Sequence, residues 1–281
     1  MIDLHTHTNC SDGTDSPAQL VNKALAEGFS VLAITDHDTT SGWHAAEQAL
    51  RPNLSLALGA EISCLTTDGI SVHMLGLLFD GTNSAMQEML ENTRDGRIPR
   101  ALKMIELLNA GGIKISMADV ESVKPTGATL GRPHIADALV KNGVVASRDE
   151  AFTDLLHNES PYYVAHLAPT PEDAISMIRR AGGVAVIAHA FASLRGKVLS
   201  ANDFLPLKNA GLNGKEVNHR DHNNEERNAL AQIARELDLV ITGASDYHGT
   251  GKLNSLGENL TEQAQWERLE SEADQRRVIR A

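Results

Sequence analysis

The sequence predicts an α/β fold in which a largely parallel sheet, open or closed into a barrel, is covered by helices. Three observations carry that prediction. Short apolar runs alternate with amphipathic stretches through most of the 281 residues, the pattern of strands joined by crossover helices. Residues 84–163 break the alternation with helical signals and no strand signal, which reads as an all-helical insertion. Polar residues that bind metals and move protons recur where the apolar runs stop, and in α/β folds the loops there converge on a site.

From the N-terminus, residues 2–5 read as the first strand. Ser16-Pro17-Ala18-Gln19 has the form of a capping box with proline in the first turn, and the helix it opens stops at Gly28. A second strand over 30–35 follows at once. After a helix over 41–51, the run 54–61 forms a hairpin-like pair with 70–79. Within the insertion, helices are expected over 99–109, 117–123, 133–141 and 148–157. Alternation resumes at Thr170-Pro171, a cap and first turn for a helix to Ala181, with Gly182-Gly183 as its stop and a strand over 184–189. Two more units follow: 214–219 with a helix over 224–238, then a strand over 239–248. The charged tail, 261–280, is expected to be a surface helix.

With 42% hydrophobic and 22% charged residues, the chain has the composition of a soluble globular enzyme rather than a disordered one. No run approaches eighteen apolar residues, so no membrane span is expected. The N-terminus lacks the basic and apolar regions of a signal peptide, and Cys10 and Cys64 are too few for a disulfide framework; a cytoplasmic protein is expected. Lys and Arg number 25 against 37 Asp and Glu, a net charge of −12, which argues against a surface for long nucleic acid. Twelve histidines exceed the five Phe, three Tyr and two Trp together. Histidine is the commonest metal ligand, so their placement matters.

Many of them close predicted strands: His5 and His7, His37, His189 and His248, with Glu61 and Asp246 in the same contexts. His5 and His7 are two apart on extended chain and share a face, and Asp246 with His248 repeats that spacing. Imidazoles mixed with carboxylates point to manganese, iron, zinc or a mixture. The set is too large for one ion. It suggests two or three divalent metals with Glu61 bridging, of the kind that activates water in phosphoryl displacement. A lone histidine is more often a satisfied core or surface residue, but alignment of so many with the ends of separate strands is hard to reach by chance.

His5-Thr6-His7, Asp12 within CSDGT, Thr35-Asp36-His37-Asp38, Gly59-Ala60-Glu61, His73, Ala188-His189 and Ser245-Asp246-Tyr247-His248 together resemble the PHP (polymerase and histidinol phosphatase) family of metal-dependent phosphoesterases, nearly end to end and in the family's order. Gly131-Arg132-Pro133-His134 is similar to the subgroup of nucleoside 3',5'-bisphosphate phosphatases and short-RNA 5'-exonucleases. The resemblance implies a distorted (β/α)7 barrel, here 1–83 and 164–281, with 84–163 as a substrate-binding lid. It implies one metal on His5, His7, Glu61 and Asp246, a second on Asp12, His37 and His248, and a third on Glu61, His73 and His189. Manganese is the first expectation, with iron, zinc or magnesium as alternatives. The chain departs from the family pattern at Ala190, where a proline often follows the histidine, and at Glu216-Val217-Asn218-His219-Arg220, where the family commonly resembles EVYNS.

On the substrate side, Arg132 and His134 open a helix, where backbone N–H groups favour an anion, and an arginine fork matches phosphate. Arg195, Lys197, His219 and His222 are further candidate contacts, as is Arg220. His134, His189 and His248 are candidates for the proton donor to the leaving alcohol. His44, His157 and His166 are read as structural, Asp36 and Asp38 as orienting or capping groups, and the cysteines as bystanders. The expected activity is hydrolysis of the 3'-phosphate of a nucleoside 3',5'-bisphosphate, such as 3'-phosphoadenosine 5'-phosphate, by a metal-bridged hydroxide. Alternatives are a 5'-to-3' exonuclease on short oligonucleotides, a phosphatase for another metabolite such as histidinol phosphate, or a non-catalytic metal-binding module.

Overall fold

The structure, a computed structural model, describes residues 1–274 and 278–280, with the side chain of Arg195 also outside the description. The chain opens with β1 (Ile2–Asp3), α1 (Pro17–Glu27), β2 (Val31–Ile34), α2 (Trp43–Ala49), β3 (Ser55–Leu65) and β4 (Ser71–Leu77). The capping box of α1 forms as its sequence implies: Gln19 N–H donates to Ser16 Oγ at 3.3 Å and Ser16 N–H to Gln19 Oε1 at 2.8 Å. Gly28 ends the helix at φ 80°, a conformation that glycine adopts without steric cost.

A helical stretch follows: α3 (Ser84–Asp95), α4 (Arg97–Ala110), α5 (Met117–Val123), α6 (Arg132–Lys141) and α7 (Arg148–Asp154). The second half adds α8 (Pro171–Arg180), β5 (Val184–Ala188), α9 (Phe204–Ala210), β6 (Gly214–Asn218), α10 (Asn224–Glu236), β7 (Val240–Gly243), α11 (Gln263–Ser271) and β8 (Ile279–Arg280). Among the described residues no helix is long and apolar enough to cross a membrane.

Strands β1 to β7 lie side by side in chain order. Past the end of β1, Thr6 pairs with Tyr247 past β7, and His7 N–H donates to Tyr247 O at 2.8 Å, which makes the sheet a nearly closed barrel. All neighbours run parallel except β4, which is antiparallel to both β3 and β5. The five residues between β3 and β4 are too few for a crossover, so the hairpin reverses the chain and breaks the otherwise parallel order.

The period-2 alternation of each strand divides the apolar residues between two cores. Leu32, Ile34, Leu56, Leu58 and Ile62 face the surrounding helices, whereas Val31, Ala33, Ala57, Leu75, Leu77, Val184 and Val186 fill the barrel. Glu61 shares the parity of Ala57, and His73 that of Leu75 and Leu77, so both point inward. Parity alone therefore brings a carboxylate and an imidazole together on one wall.

The helical stretch has a core of its own in Met104, Leu108, Val120, Ile135, Leu139 and Leu156. Helix α3, absent from the expected set, instead packs Met86 and Leu90 into the barrel's outer core. Its sequence signal is modest, an i, i+4 apolar pair behind the N-cap Asn83, whose Oδ1 accepts the Met86 N–H at 3.0 Å. The tail differs from the expected long surface helix: α11 buries Trp266 and Leu269, and β8 returns to pair with the start of β3. Residues 275–277 of that expected helix lie outside the described residues.

One buried cation is unusual. Lys215 on β6 faces outward into the apolar layer, is fully buried, and has no hydrogen-bond partner; its Nζ lies 4.2 Å from the centroid of the Phe204 ring. Loss of water pushes its pKa down to about 7. Between about pH 7 and the ordinary lysine range near 10.5 the unfolded chain binds the proton and the folded chain releases it, so stability rises with pH across that window. Lys215→Met is expected to stabilise the protein by about 1–3 kcal/mol at pH 7 and to flatten that rise. Chemical denaturation at pH 7 and pH 9 checks it, and equal pH dependence in both proteins would contradict it.

Candidate metal centre

The carboxyl ends of the parallel strands, with the amino end of the antiparallel β4, carry the site. His5 and His7 follow β1, His37 follows β2, Glu61 lies in β3, His73 in β4, His189 after β5, and Asp246 with His248 after β7. Asp12 comes from the long loop between β1 and α1. His189 and Asp246 have φ values of 30° and 52°, strained positions for L-residues that cost of order 1–3 kcal/mol each and cluster at functional sites.

Glu61 is the hub. Its Oε2 lies 3.2 Å from His5 Nε2, 3.1 Å from His7 Nε2 and 3.1 Å from His37 Nδ1, while Oε1 lies 2.7 Å from His73 Nδ1 and 3.0 Å from His189 Nε2. Asp246 Oδ1 approaches His5 Nε2 at 3.6 Å, His7 Nε2 at 3.5 Å and His248 Nδ1 at 3.5 Å. Asp12 faces His248 Nε2 at 3.3 Å, His37 Nε2 at 3.6 Å and His7 Nδ1 at 3.7 Å. Three sets of ligand atoms converge closely enough to share an ion: His7, Asp12, His37 and His248; His5, His7 and Glu61; and His37, Glu61 and His73. His7 thus stands between two groups, where the family resemblance places it in one.

This donor set fits divalent cations. The imidazole nitrogens His5 Nε2 and His7 Nε2 sit 3.0 Å apart, and His37 Nδ1 and His248 Nε2 are buried without a hydrogen bond. Nitrogen and carboxylate oxygen together suit manganese, iron or zinc better than calcium. A second layer orients several of these rings. Glu216 Oε1 lies 2.8 Å from His5 Nδ1, and Glu216 Oε2 accepts the His189 N–H at 2.8 Å. His248 Nδ1 is 2.7 Å from Asp246 O, which leaves Nε2 for the cluster. Asp36 accepts from Thr8 and from Ser11 Oγ, itself 3.4 Å from His7 Nδ1. Asp38 accepts from Ser63 and from the Arg97 guanidinium. Asp36 thus reaches a candidate ligand through Ser11, whereas Asp38 ties β3 to α4.

The electrostatics are those of a tightly coupled charge cluster. Burial disfavours ionised carboxylates, yet the surrounding imidazoles hold Glu61 and Asp12 well below their usual range. Burial also opposes the charge on His7, but hydrogen bonds to Asp246 and Glu61 raise its pKa to about 9. Loss of water, with the nearby Lys252, pushes His248 down to about 4.

Above the cluster lies a cavity of about 1020 Å³, walled by the candidate ligands on one side and by the helical stretch on the other. Arg132, the first residue of α6, lines it; its Nη1 donates to Leu156 O at 2.8 Å and Asn158 Oδ1 at 2.7 Å. Arg100 stacks on Tyr163 at 5.4 Å and donates to Val164 O at 2.8 Å. Burial, together with the charges of Arg132 and Arg97, lowers Arg100 to about 9. His166 also lines this wall, buried, with neither ring nitrogen hydrogen-bonded; burial, with Arg97 and Arg100 next, lowers it to about 3. His166 and His157, both read as structural from the sequence, thus line the cavity.

Other expected contacts are placed differently. His134 does not line the cavity: its Nδ1 accepts the Gly131 N–H at 3.0 Å, capping α6, and its Nε2 is buried without a partner. His222 is buried with both nitrogens engaged, Nδ1 at 3.0 Å from Val217 O and Nε2 accepting the Phe191 N–H at 3.3 Å, so neither is left for substrate. His219 belongs beneath the cluster, its Nε2 3.6 Å from Asp246 Oδ2. His189 Nε2 and His248 Nε2 are turned toward the carboxylates of Glu61 and Asp12. Lys197 and Arg220 line the cavity, and the side chain of Arg195 lies outside the described residues. Arg100, Lys252 and the orienting role of Glu216 carry little mark in the sequence; for Glu216 the signal is an acid inside a short strand segment, where a buried charge needs a partner.

Comparison with known proteins agrees with this geometry. The model of the PHP domain family matches residues 3–130. A 3',5'-nucleoside bisphosphate phosphatase from Chromobacterium violaceum is 33% identical over 252 residues, covering 89% of this chain and 88% of the relative. A 5'-3' exoribonuclease from Haemophilus influenzae is 34% identical over 261 residues, covering 92% and 93%. Among solved structures, a chain from Bifidobacterium adolescentis provisionally described as a metal-dependent phosphoesterase superimposes with a TM-score of 0.91 at 40% identity, covering 97% of this chain and 96% of that one.

Proposed function

The chain belongs to the PHP domain family and is a metal-dependent phosphoesterase, and from that premise we propose that it hydrolyses the 3'-phosphate of nucleoside 3',5'-bisphosphates. One observation carries the choice of substrate: the guanidiniums of Arg100 and Arg132 lie 5.4 and 5.3 Å from the centroid of one ring, Tyr163, on a wall of the cavity that the ligand cluster also lines. Two guanidiniums gathered over one ring suit an anion held between them. Arg100 forms no ion pair among the described residues, and the unpartnered His166 adds donor capacity. A substrate with two phosphates would place one at the metals and the other here.

Two or three divalent ions, manganese first, would be held by His5, His7, Glu61 and Asp246, by Asp12, His37 and His248, and by Glu61, His73 and His189. When bound, they supply an activated water and neutralise charge on the phosphoryl oxygens. The remaining work is the protein's own. Glu216 and the Asp36–Ser11 pair aim the His5 and His7 rings, the helical stretch (84–163) covers the cavity as a lid, and the arginines set which ester reaches the cluster. An amine-bearing ester such as histidinol phosphate would meet the arginines unfavourably, which ranks it below a bisphosphate. The same wall could instead hold the 5'-phosphate of a short RNA, and the similarity to the H. influenzae exoribonuclease keeps that reading second.

Manganese-loaded protein presented with 3'-phosphoadenosine 5'-phosphate, a 5'-phosphorylated dinucleotide and histidinol phosphate distinguishes these. The bisphosphate is expected to lead by about tenfold or more in kcat/KM, about 1.4 kcal/mol of barrier. Faster release of mononucleotides from the dinucleotide would transfer the protein to the exoribonuclease reading, and bound metal without any turnover would make it a binding module.

A further inference from the structure

We propose that Lys252 is a catalytic residue that donates to a non-bridging oxygen of the phosphoryl group as it is transferred, an inference that rests on the phosphoesterase reading above. Lys252 lines the cavity on the loop that follows His248. Its Nζ lies 2.9 Å from Asp246 Oδ2, so an ammonium reaches directly into the ligand cluster. Asp246 Oδ1 faces the three imidazoles of His5, His7 and His248; the lysine takes the opposite oxygen. The carboxylate thus fixes one of three ammonium donors and leaves two for the cavity.

The other cavity cations are committed elsewhere or stand apart. Arg97 is spent on Asp38 Oδ2, Ser63 Oγ and Leu130 O. Arg148 forms a fork with both oxygens of Asp137 on α6. Arg220 is held by Glu258 at 3.6 Å. Lys252 is also held in place: Arg148 Nη1 donates to Gly251 O at 3.3 Å and to Asp12 O at 3.2 Å, so one guanidinium ties α7 to the lysine's loop and to the loop of an expected ligand. A side chain on Gly251 would meet that nitrogen at 2.3 Å, so glycine there lets the tie form.

In the reaction the oxygen of water bonds to phosphorus and loses a proton. The bond from phosphorus to the 3'-oxygen breaks with its electron pair, and that oxygen takes up a proton to become the alcohol. Negative charge stays on the three equatorial oxygens throughout, and a fixed ammonium at their edge stabilises it. The role calls for charge and donors, not for proton transfer by the lysine.

The test uses Lys252→Gln and Lys252→Arg at saturating manganese, with three readouts: manganese content, the dissociation constant for inorganic phosphate, and kcat/KM on an aryl phosphate. Lys252→Gln is expected to keep its manganese, to weaken phosphate binding about tenfold, and to lose about a hundredfold in kcat/KM; Lys252→Arg should recover part of both losses. Unchanged phosphate affinity in Lys252→Gln would overturn the proposal. So would losses of manganese and activity that excess metal restores together, since that pattern belongs to a residue that only holds Asp246. If the wild-type protein binds phosphate through Lys252 but hydrolyses no ester, the phosphoesterase reading fails on its own and the contact stands.

Discussion

Glu61→Gln is expected to lower phosphoester turnover by roughly a thousandfold, about 4 kcal/mol of barrier, even with manganese in excess. Five imidazole nitrogens from β1, β2, β4 and β5 or the turns after them lie within 3.2 Å of its two oxygens. The amide is nearly the same size but carries no charge, and its NH₂ presents donors to nitrogens that must themselves bind a cation. Fewer strand-end groups then share a centre, and the metal content should fall along with the rate. Elemental analysis of the purified variant beside steady-state kinetics measures both. Wild-type metal content with wild-type turnover would remove Glu61 from the centre.

Arg132→Ala tests the other end of the cavity. A charge-assisted contact to phosphate is worth about 1.5–3 kcal/mol, so kcat/KM for a bisphosphate should fall roughly ten- to a hundredfold. An aryl phosphate, with nothing to place at that wall, should change by no more than about threefold. Arg132 also donates to Leu156 O and Asn158, so the melting temperature must be followed in parallel. The ratio between the two substrates separates recognition from local loosening, because a disordered lid would slow both esters alike. Equal losses would assign Arg132 to the fold alone.

Much of this site was legible because strand ends leave a strong mark. An apolar run that stops on histidine or a carboxylate is unusual, and His5, His7, His37, Glu61, His189, Asp246 and His248 all do so. Asp12 and His73 have no such mark: one sits in an irregular loop, the other early in an antiparallel strand, and only the family resemblance named them. The cationic wall was harder still. Arg100 and His166 come from the helical stretch and the chain after it, and no local pattern tells an arginine facing a cavity from one facing water. His222 and His134 were harder to place for the converse reason: the His134 ring caps its own helix at Gly131, and the His222 ring closes a turn at Val217 and takes a hydrogen bond from distant Phe191, which only the fold reveals. The tail shows the same limit, since α11 buries Trp266 by packing on β7 and β8 pairs with the start of β3, more than two hundred residues away.

Manganese-loaded protein should be given a nucleoside 3',5'-bisphosphate beside the matching nucleoside 3'-monophosphate, with the released phosphate position identified. Inorganic phosphate is expected from the 3' position, with nucleoside 5'-monophosphate as the other product, at least about tenfold higher kcat/KM for the bisphosphate, and no turnover after chelation. Equal efficiency on the two substrates, or turnover that survives chelation, would contradict the bisphosphate reading.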